Sequence, residues 1–184
     1  MEEAIYQLKI TLKDISPSIW RRFLVKNNIT FHHLHTIIQD IMGWENYHLY
    51  EFKVNEVYIS APNPDEFRKN ILNSQRKRLN TLITEEGQRF LYAYDFGDDW
   101  IHQILVEKIL PYDEKLKHPV CLKGKRACPL EDCGGSMGHV HLLEVLKNPE
   151  HKEYEDIKEW AGEDYDPEYF NLDYINRMLK NIRW

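Results

Sequence analysis

Apolar Tyr6, Leu8, Ile10 and Leu12 alternate with polar Gln7, Lys9 and Thr11, the two-residue period of a strand with one buried face. Residues 14–18, which include Pro17, interrupt this stretch, and residues 19–25 predict a second strand, most simply antiparallel to the first. The period then changes. Thr30 is a candidate N-cap, Leu34, Ile37, Ile38 and Ile41 mark one face of a helix, and Gly43 closes it. Alternation returns at Tyr50, Phe52 and Val54, with Asn55-Glu56 as a turn into a strand over residues 57–60. Residues 90–94 and 100–109 predict two further strands around the tight connection Asp95-Phe96-Gly97-Asp98-Asp99.

Two stretches fall outside these patterns. Residues 61–80 are polar, with Pro62 and Pro64, and are expected to form a long, mobile excursion. Between Pro111 and Gly138 no regular period is visible. Beyond it the pattern is helical: residues 140–147, a segment carrying Tyr154, Ile157, Trp160 and Ala161, and a last one with Leu172, Ile175, Met178, Leu179 and Ile182. Asp166-Pro167 sets a capping carboxylate before a first-turn proline, and Asn171 can cap the final helix. Strands first and helices last predict an α+β fold: an antiparallel sheet, a helix after the second strand, and a C-terminal helical region. At 184 residues the expectation is one domain over 1–184.

Charge narrows the functional classes. The net charge is −6, and residues 150–173 alone hold ten acids against Lys152 and Lys158. An acidic chain suits a phosphate backbone poorly, so nucleic acid is expected only through the local basic residues Arg68, Lys69, Arg76, Lys77 and Arg78. A solvated loop is the commoner meaning of such a run. No run approaches a membrane span, and the start of the chain has neither a basic nor an apolar leader region, so a cytoplasmic protein without membrane contact is expected. Three cysteines, an odd number confined to one stretch, fit structural thiols or metal ligands in a reducing compartment better than a disulfide framework.

Several spaced motifs occur in order: Tyr6-Gln7-Leu8-Lys9-Ile10, Ile19-Trp20-Arg21-Arg22, Leu34-His35, Ile41-Met42-Gly43-Trp44, and Tyr94-Asp95-Phe96-Gly97-Asp98-Asp99-Trp100. Cys128-Pro129-Leu130-Glu131-Asp132-Cys133-Gly134-Gly135 follows them. Together they resemble the root-inducing-plasmid third-open-reading-frame-like family, over nearly the whole chain. The resemblance implies a one-domain α+β fold with no assigned activity. Members are labelled resolvase-type passengers of insertion elements, which implies a mobile-element association. A nucleophilic serine among arginines and a helix-turn-helix, which a serine recombinase needs, are not found in this sequence.

The chemistry-bearing residues concentrate in residues 94–100 and 121–135, expected to join into one functional surface. Asp95, Asp98 and Asp99 around Gly97 can hold a hard cation or supply a general acid or base, and they equally suit a plain strand-to-strand turn. Trp100 reads as core or a pocket wall, and His102 shares its strand face. Cys121, Cys128 and Cys133 with His139 are a candidate zinc quartet, although the paired Cys-x-x-Cys spacing is absent and buried free thiols are common. Glu131, Asp132, Gly134 and Gly135 lead into the helix after Gly138, where glycines permit a close backbone approach to a ligand or simply shape the helix entry. His32, His33, His35 and His48 are read as ordinary histidines. Three functions remain open. One is a binding domain presenting an aromatic–acidic pocket to a peptide or small ligand. The second is a metal-dependent hydrolase or nuclease using Asp95, Asp98, Asp99 and His102 with Glu131 or Asp132. The third is a DNA-associated accessory protein.

Overall fold

The computed structural model describes residues 2–62 and 70–183. Its frame is an eight-stranded sheet: β1 (Ala4–Leu12), β2 (Trp20–Lys26), β3 (Tyr50–Val54), β4 (Val57–Ser60), β5 (Leu72–Asn73), β6 (Arg89–Tyr94), β7 (Trp100–Pro111) and β8 (Val120–Lys125). Across the sheet the order is β5-β4-β3-β6-β7-β1-β2-β8, antiparallel throughout except for the parallel pair β4–β5. Every strand-level expectation above is met within a residue or two. The α+β class is therefore observed as expected.

The sheet is one-sided, because the period of two sends alternate side chains to opposite faces. Tyr6, Leu8, Ile10, Phe23, Val25, Phe52, Tyr92, Trp100, Ile104 and Val106 are buried. They pack with helix α1 (Phe31–Met42), whose apolar stripe contributes Phe31, Leu34, Ile37, Ile38, Ile41 and Met42. Local chemistry fixes both ends of this helix. The Thr30 hydroxyl accepts from the His33 N–H at 3.2 Å, and Gly43 adopts φ 88° while its N–H donates to the Gln39 carbonyl. Neighbouring Arg21 and Arg22 part company across β2. Arg21 is buried, whereas Arg22 forks onto Glu107 at 2.5 and 2.7 Å, which also accepts from Gln7.

Three expectations need correction. The excursion over residues 61–80 is not loose where it is described. Ser74 and Leu79 are fully buried, β5 pairs with β4, and the Ser74, Leu79 and Asn80 N–H groups donate to Ser60, Ile29 and Asn27 carbonyls. Residues 63–69, including Arg68 and Lys69, lie outside the described residues. The unpatterned stretch after Pro111 contains β8, which joins the edge of β2 across a bulge between Arg22 and Phe23. Its outer side is covered by Asn176, whose amide accepts from the Cys121 N–H at 2.8 Å and donates to the Cys121 carbonyl at 3.0 Å, standing in for a further strand. Asp166 forms a turn rather than a helix start, accepting from the Glu168 N–H.

The remaining helices are α2 (Gly135–Leu146), α3 (Tyr154–Ala161) and α4 (Leu172–Leu179). The second begins five residues earlier than its apolar pattern indicates. As expected, Asn171 caps α4, accepting from the Tyr174 N–H at 2.9 Å. No helix among the described residues is long and apolar enough to cross a membrane.

Candidate functional site

Three segments far apart in sequence meet at one end of the sheet: the loop after α1, the β6–β7 turn, and the strap that leads from β8 into α2. The β6–β7 turn is tight because Asp95 and Asp99 take positive φ (57° and 55°), a region in which Asp is tolerated, and the Asp99 N–H returns to the Asp95 carbonyl. The turn reading of these aspartates is thus correct, and the turn is also part of the site.

Trp44 is the hinge of the assembly. Its ring stacks on Tyr94 (5.0 Å between centroids) and Trp100 (6.3 Å), and meets His102 edge-on at 5.3 Å. Its indole N–H donates to the Pro129 carbonyl at 2.9 Å, which fastens the strap. The Tyr94 hydroxyl then ties all three segments: it donates to Glu131 Oε1 at 2.5 Å and accepts from the Tyr47 N–H at 3.1 Å. Burial, and next the neighbouring Glu131 carboxylate, push the Tyr94 phenol well above its ordinary range, so it stays protonated and remains the donor. The second oxygen of Glu131 accepts from the Glu45 N–H.

The strap meets the β6–β7 turn directly. Gly134 N–H donates to Asp98 Oδ2 at 3.2 Å, and a side chain on Gly135 (φ 68°) would stand 2.6 Å from the Asp98 carbonyl. The two segments singled out in the sequence therefore form one surface. Gly138 packs tighter still, its missing Cβ lying 1.8 Å from the Cys133 carbonyl. Gly138→Ala is expected to force the 133–138 turn open and destabilise the fold by about 2–3 kcal/mol, read by urea denaturation. A change below 0.5 kcal/mol would show that the turn yields freely.

The predicted site residues divide into two groups. Asp95, Asp98, Glu131, Asp132, Gly134 and Gly135 converge. Trp100 and His102 do not face outward: both are buried, and His102 donates through Nδ1 to the Tyr92 carbonyl while its Nε2 has no partner. The cysteines and His139 are not gathered either. Cys121 faces the Lys123 carbonyl, Cys128 lies 3.5 Å from Met42 Sδ, and Cys133 points to the Gly135 carbonyl. Burial raises the Cys121 thiol to about 11, and burial followed by Asp98 raises Cys133 to about 12, so both are neutral thiols near pH 7. Among the described residues the expected quartet of Cys121, Cys128, Cys133 and His139 does not form a cluster of metal-ligating atoms. Among the described residues, the donor atoms that do come together belong to His48, Asp95 and Asp132. His48 carries no sequence signal: its loop lacks a period, and its place is set by the Tyr94 hydroxyl, which also receives the His48 N–H. The described basic residues Arg76, Lys77 and Arg78 lie beside β5 and the start of α1, where the Phe31 N–H donates to the Lys77 carbonyl and no part of this junction is involved.

Residues 4–174 match the model of the plasmid pRiA4b ORF-3-like protein family. The chain belongs to this family. A relative, the uncharacterized protein y4hQ of Sinorhizobium fredii, is 33% identical over 99% of this chain and 94% of its own length. The crystal structure of a protein of unknown function, MM3350 from Methanosarcina mazei, superposes with a TM-score of 0.86 at 44% identity. It covers 94% of this chain and 98% of that one. The plasmid pRiA4b ORF-3-like fold thus accounts for the sheet and the helices together.

Proposed function

We propose that this chain is a non-catalytic binding domain whose aromatic–acidic hollow receives a ligand with an apolar body and a cationic end. The hollow, about 490 Å³, lies between the C-terminal end of α1 and the segment leading into α4, with Tyr165, Phe170 and Tyr174 among its walls. Volume and lining fit the apolar pocket with few polar groups expected of small-molecule sites. Three carboxylates, Asp40, Asp164 and Asp166, also line it. The guanidinium of Arg21 reaches the same space, but its N–H groups are already donated to the carbonyls of Trp20, Ile41, Lys125 and Arg126. Arg21 would therefore offer an anion no free donor.

The observation that carries this reading is Asp40. Its half-buried carboxyl is raised above the ordinary range by desolvation, with no cation or hydrogen bond among the described residues to offset it. A ligand ammonium would supply both. The three unpaired thiols support a reducing compartment such as the cytoplasm.

Hexylammonium and hexanol, titrated into the full chain and followed by NMR of the Tyr165, Phe170 and Tyr174 rings, test this. The amine is expected to bind at least about tenfold more tightly than the alcohol, since a hydrogen bond to a charged group contributes about 1.5–3 kcal/mol. Asp40→Asn should erase the difference. Equal binding of the two probes, or no ring perturbation by either, would rule the reading out.

A further inference from the structure

We propose that His48, Asp95 and Asp132 form a binding site for a borderline divalent cation of the zinc class, separate from the aromatic–acidic hollow. His48 Nε2 is 3.3 Å from Asp132 Oδ1 and 3.7 Å from Asp95 Oδ2. All three donor atoms lie within 4.8 Å of one another. Those separations are longer than the roughly 2.7–3.2 Å of a good N–H···O bond. The shorter one matches the edge of a coordination polyhedron and the longer lies just beyond it: two ligands each about 2.0–2.2 Å from one tetrahedral ion stand roughly 3.3–3.6 Å apart.

A second observation points the same way. His48 Nε2 is itself covered, although the side chain is 26% exposed, and neither neighbouring carboxylate oxygen meets it in hydrogen-bond geometry. A covered polar atom without a well-formed hydrogen bond is uncommon in a native fold, and this one lies between two carboxylate oxygens. Asp95 is only 6% exposed, and its other oxygen already accepts from the Gly97 N–H at 2.9 Å, which aims the free one at His48. Asp132 is exposed, at 73% of its side chain, so one side of the site opens to water. Three protein donors with an open fourth position is the arrangement of a metal site that can accept a water molecule or a ligand oxygen.

The donor set selects the ion. One imidazole with two carboxylates suits zinc or manganese better than magnesium or calcium, which prefer oxygen alone, and it lacks the thiolates that favour copper(I). The scaffold is also rigid in the right way. The Tyr94 hydroxyl holds the His48 N–H on one side and Glu131, next to Asp132, on the other, and Asp95 follows Tyr94 in the chain. One phenol thereby registers three ligands from three segments.

Zinc chloride titrated calorimetrically into the chelator-treated full chain tests the site. One equivalent is expected to bind to the wild type. Asp132→Asn and His48→Gln should each weaken binding at least about tenfold, since losing even an outer-shell group of a metal site costs about 10–100-fold. Asp132 is exposed with φ 59°, a conformation Asn also tolerates, so that variant keeps the fold intact. Cys128→Ser and Cys133→Ser should bind zinc as the wild type does. Manganese(II) should broaden the His48 ring resonances ahead of those of His141 and His151. The proposal is overturned if the wild type takes up no zinc, if Asp132→Asn and His48→Gln bind it unchanged, or if the loss follows the cysteine variants instead.

Discussion

Acidification from pH 7 to pH 5 is expected to lower the stability of this fold by about 4 kcal/mol, chiefly through His35 and His102. Burial depresses both imidazoles to about 4. His35 stacks face to face on Tyr50 at 3.5 Å. Its Nε2–H donates to Asn46 Oδ1 at 2.7 Å, which leaves Nδ1 to accept from the Tyr92 hydroxyl. His102 donates through Nδ1 to a peptide carbonyl, and its Nε2 is buried with nothing to receive a second proton's charge. Both rings are thus held neutral. In the unfolded chain an exposed histidine titrates near pH 6.5. Between about pH 6.5 and 4 the unfolded state binds these protons and the native state does not, so stability falls as pH falls through that window. Above it the full stability is present. Each ring contributes about 2 kcal/mol of loss by pH 5, a large share of the roughly 5–15 kcal/mol of a typical domain. Urea denaturation of the wild type and of His102→Phe at pH 7 and pH 5 measures it. Phenylalanine keeps the aromatic contacts with Trp44 and Tyr92, so about half the pH-dependent loss should vanish. An unchanged pH dependence in that variant would show that His102 is not held neutral.

These histidines also show where sequence patterns stop being informative. Alternation along β1 and β6 and the 3.6-residue spacing of α1 are visible because each reports a single buried face. The caps at Thr30 and Gly43 are visible because they act within four residues. β8 is hidden: Cys121 is its one buried side chain, Lys123 and Lys125 face outward, and its partner strand lies about a hundred residues earlier. The density of Asp, Gly and Cys in residues 94–100 and 121–135 marks the two segments that do meet. What those residues are doing is set by contacts no local pattern encodes. The cysteines that look like ligands do not gather into a cluster of metal-ligating atoms among the described residues. His48, which looks ordinary, is placed between two carboxylates by a tyrosine 46 residues away. His35 and His102 sit in regular elements where an apolar residue would fit the pattern equally well, and only their partners explain them.

Arg21→Met is expected to destabilise the protein by about 3–5 kcal/mol, the scale seen when a buried charged donor is removed from its partners. The guanidinium is only 2% exposed and has no ion pair among the described residues. Its charge is held instead by four backbone carbonyls at 2.7–2.9 Å, those of Trp20, Ile41, Lys125 and Arg126, with Cys128 Sγ at 3.6 Å and the Phe170 ring at 4.9 Å. The Ile41 carbonyl belongs to the last turn of α1, where the helix dipole favours a cation. Lys125 ends β8 and Arg126 follows it, so one side chain joins α1, the sheet edge and the start of the strap. Gly124 makes room for it: a Cβ there would stand 2.7 Å from Arg21 Cδ and 2.4 Å from the Phe170 ring. Methionine fills much of the same volume but leaves those carbonyls without donors, and each buried unsatisfied group costs about 1–3 kcal/mol. At roughly 2–4 °C per kcal/mol for a chain of this size, the melting temperature should fall by about 10 °C. Arg21→Lys separates charge from geometry. An ammonium is a point charge with three donors and cannot span the fork of acceptors, so it should recover less than half of the loss. Full recovery by lysine would mean that charge alone, not the planar array of N–H groups, holds this junction together.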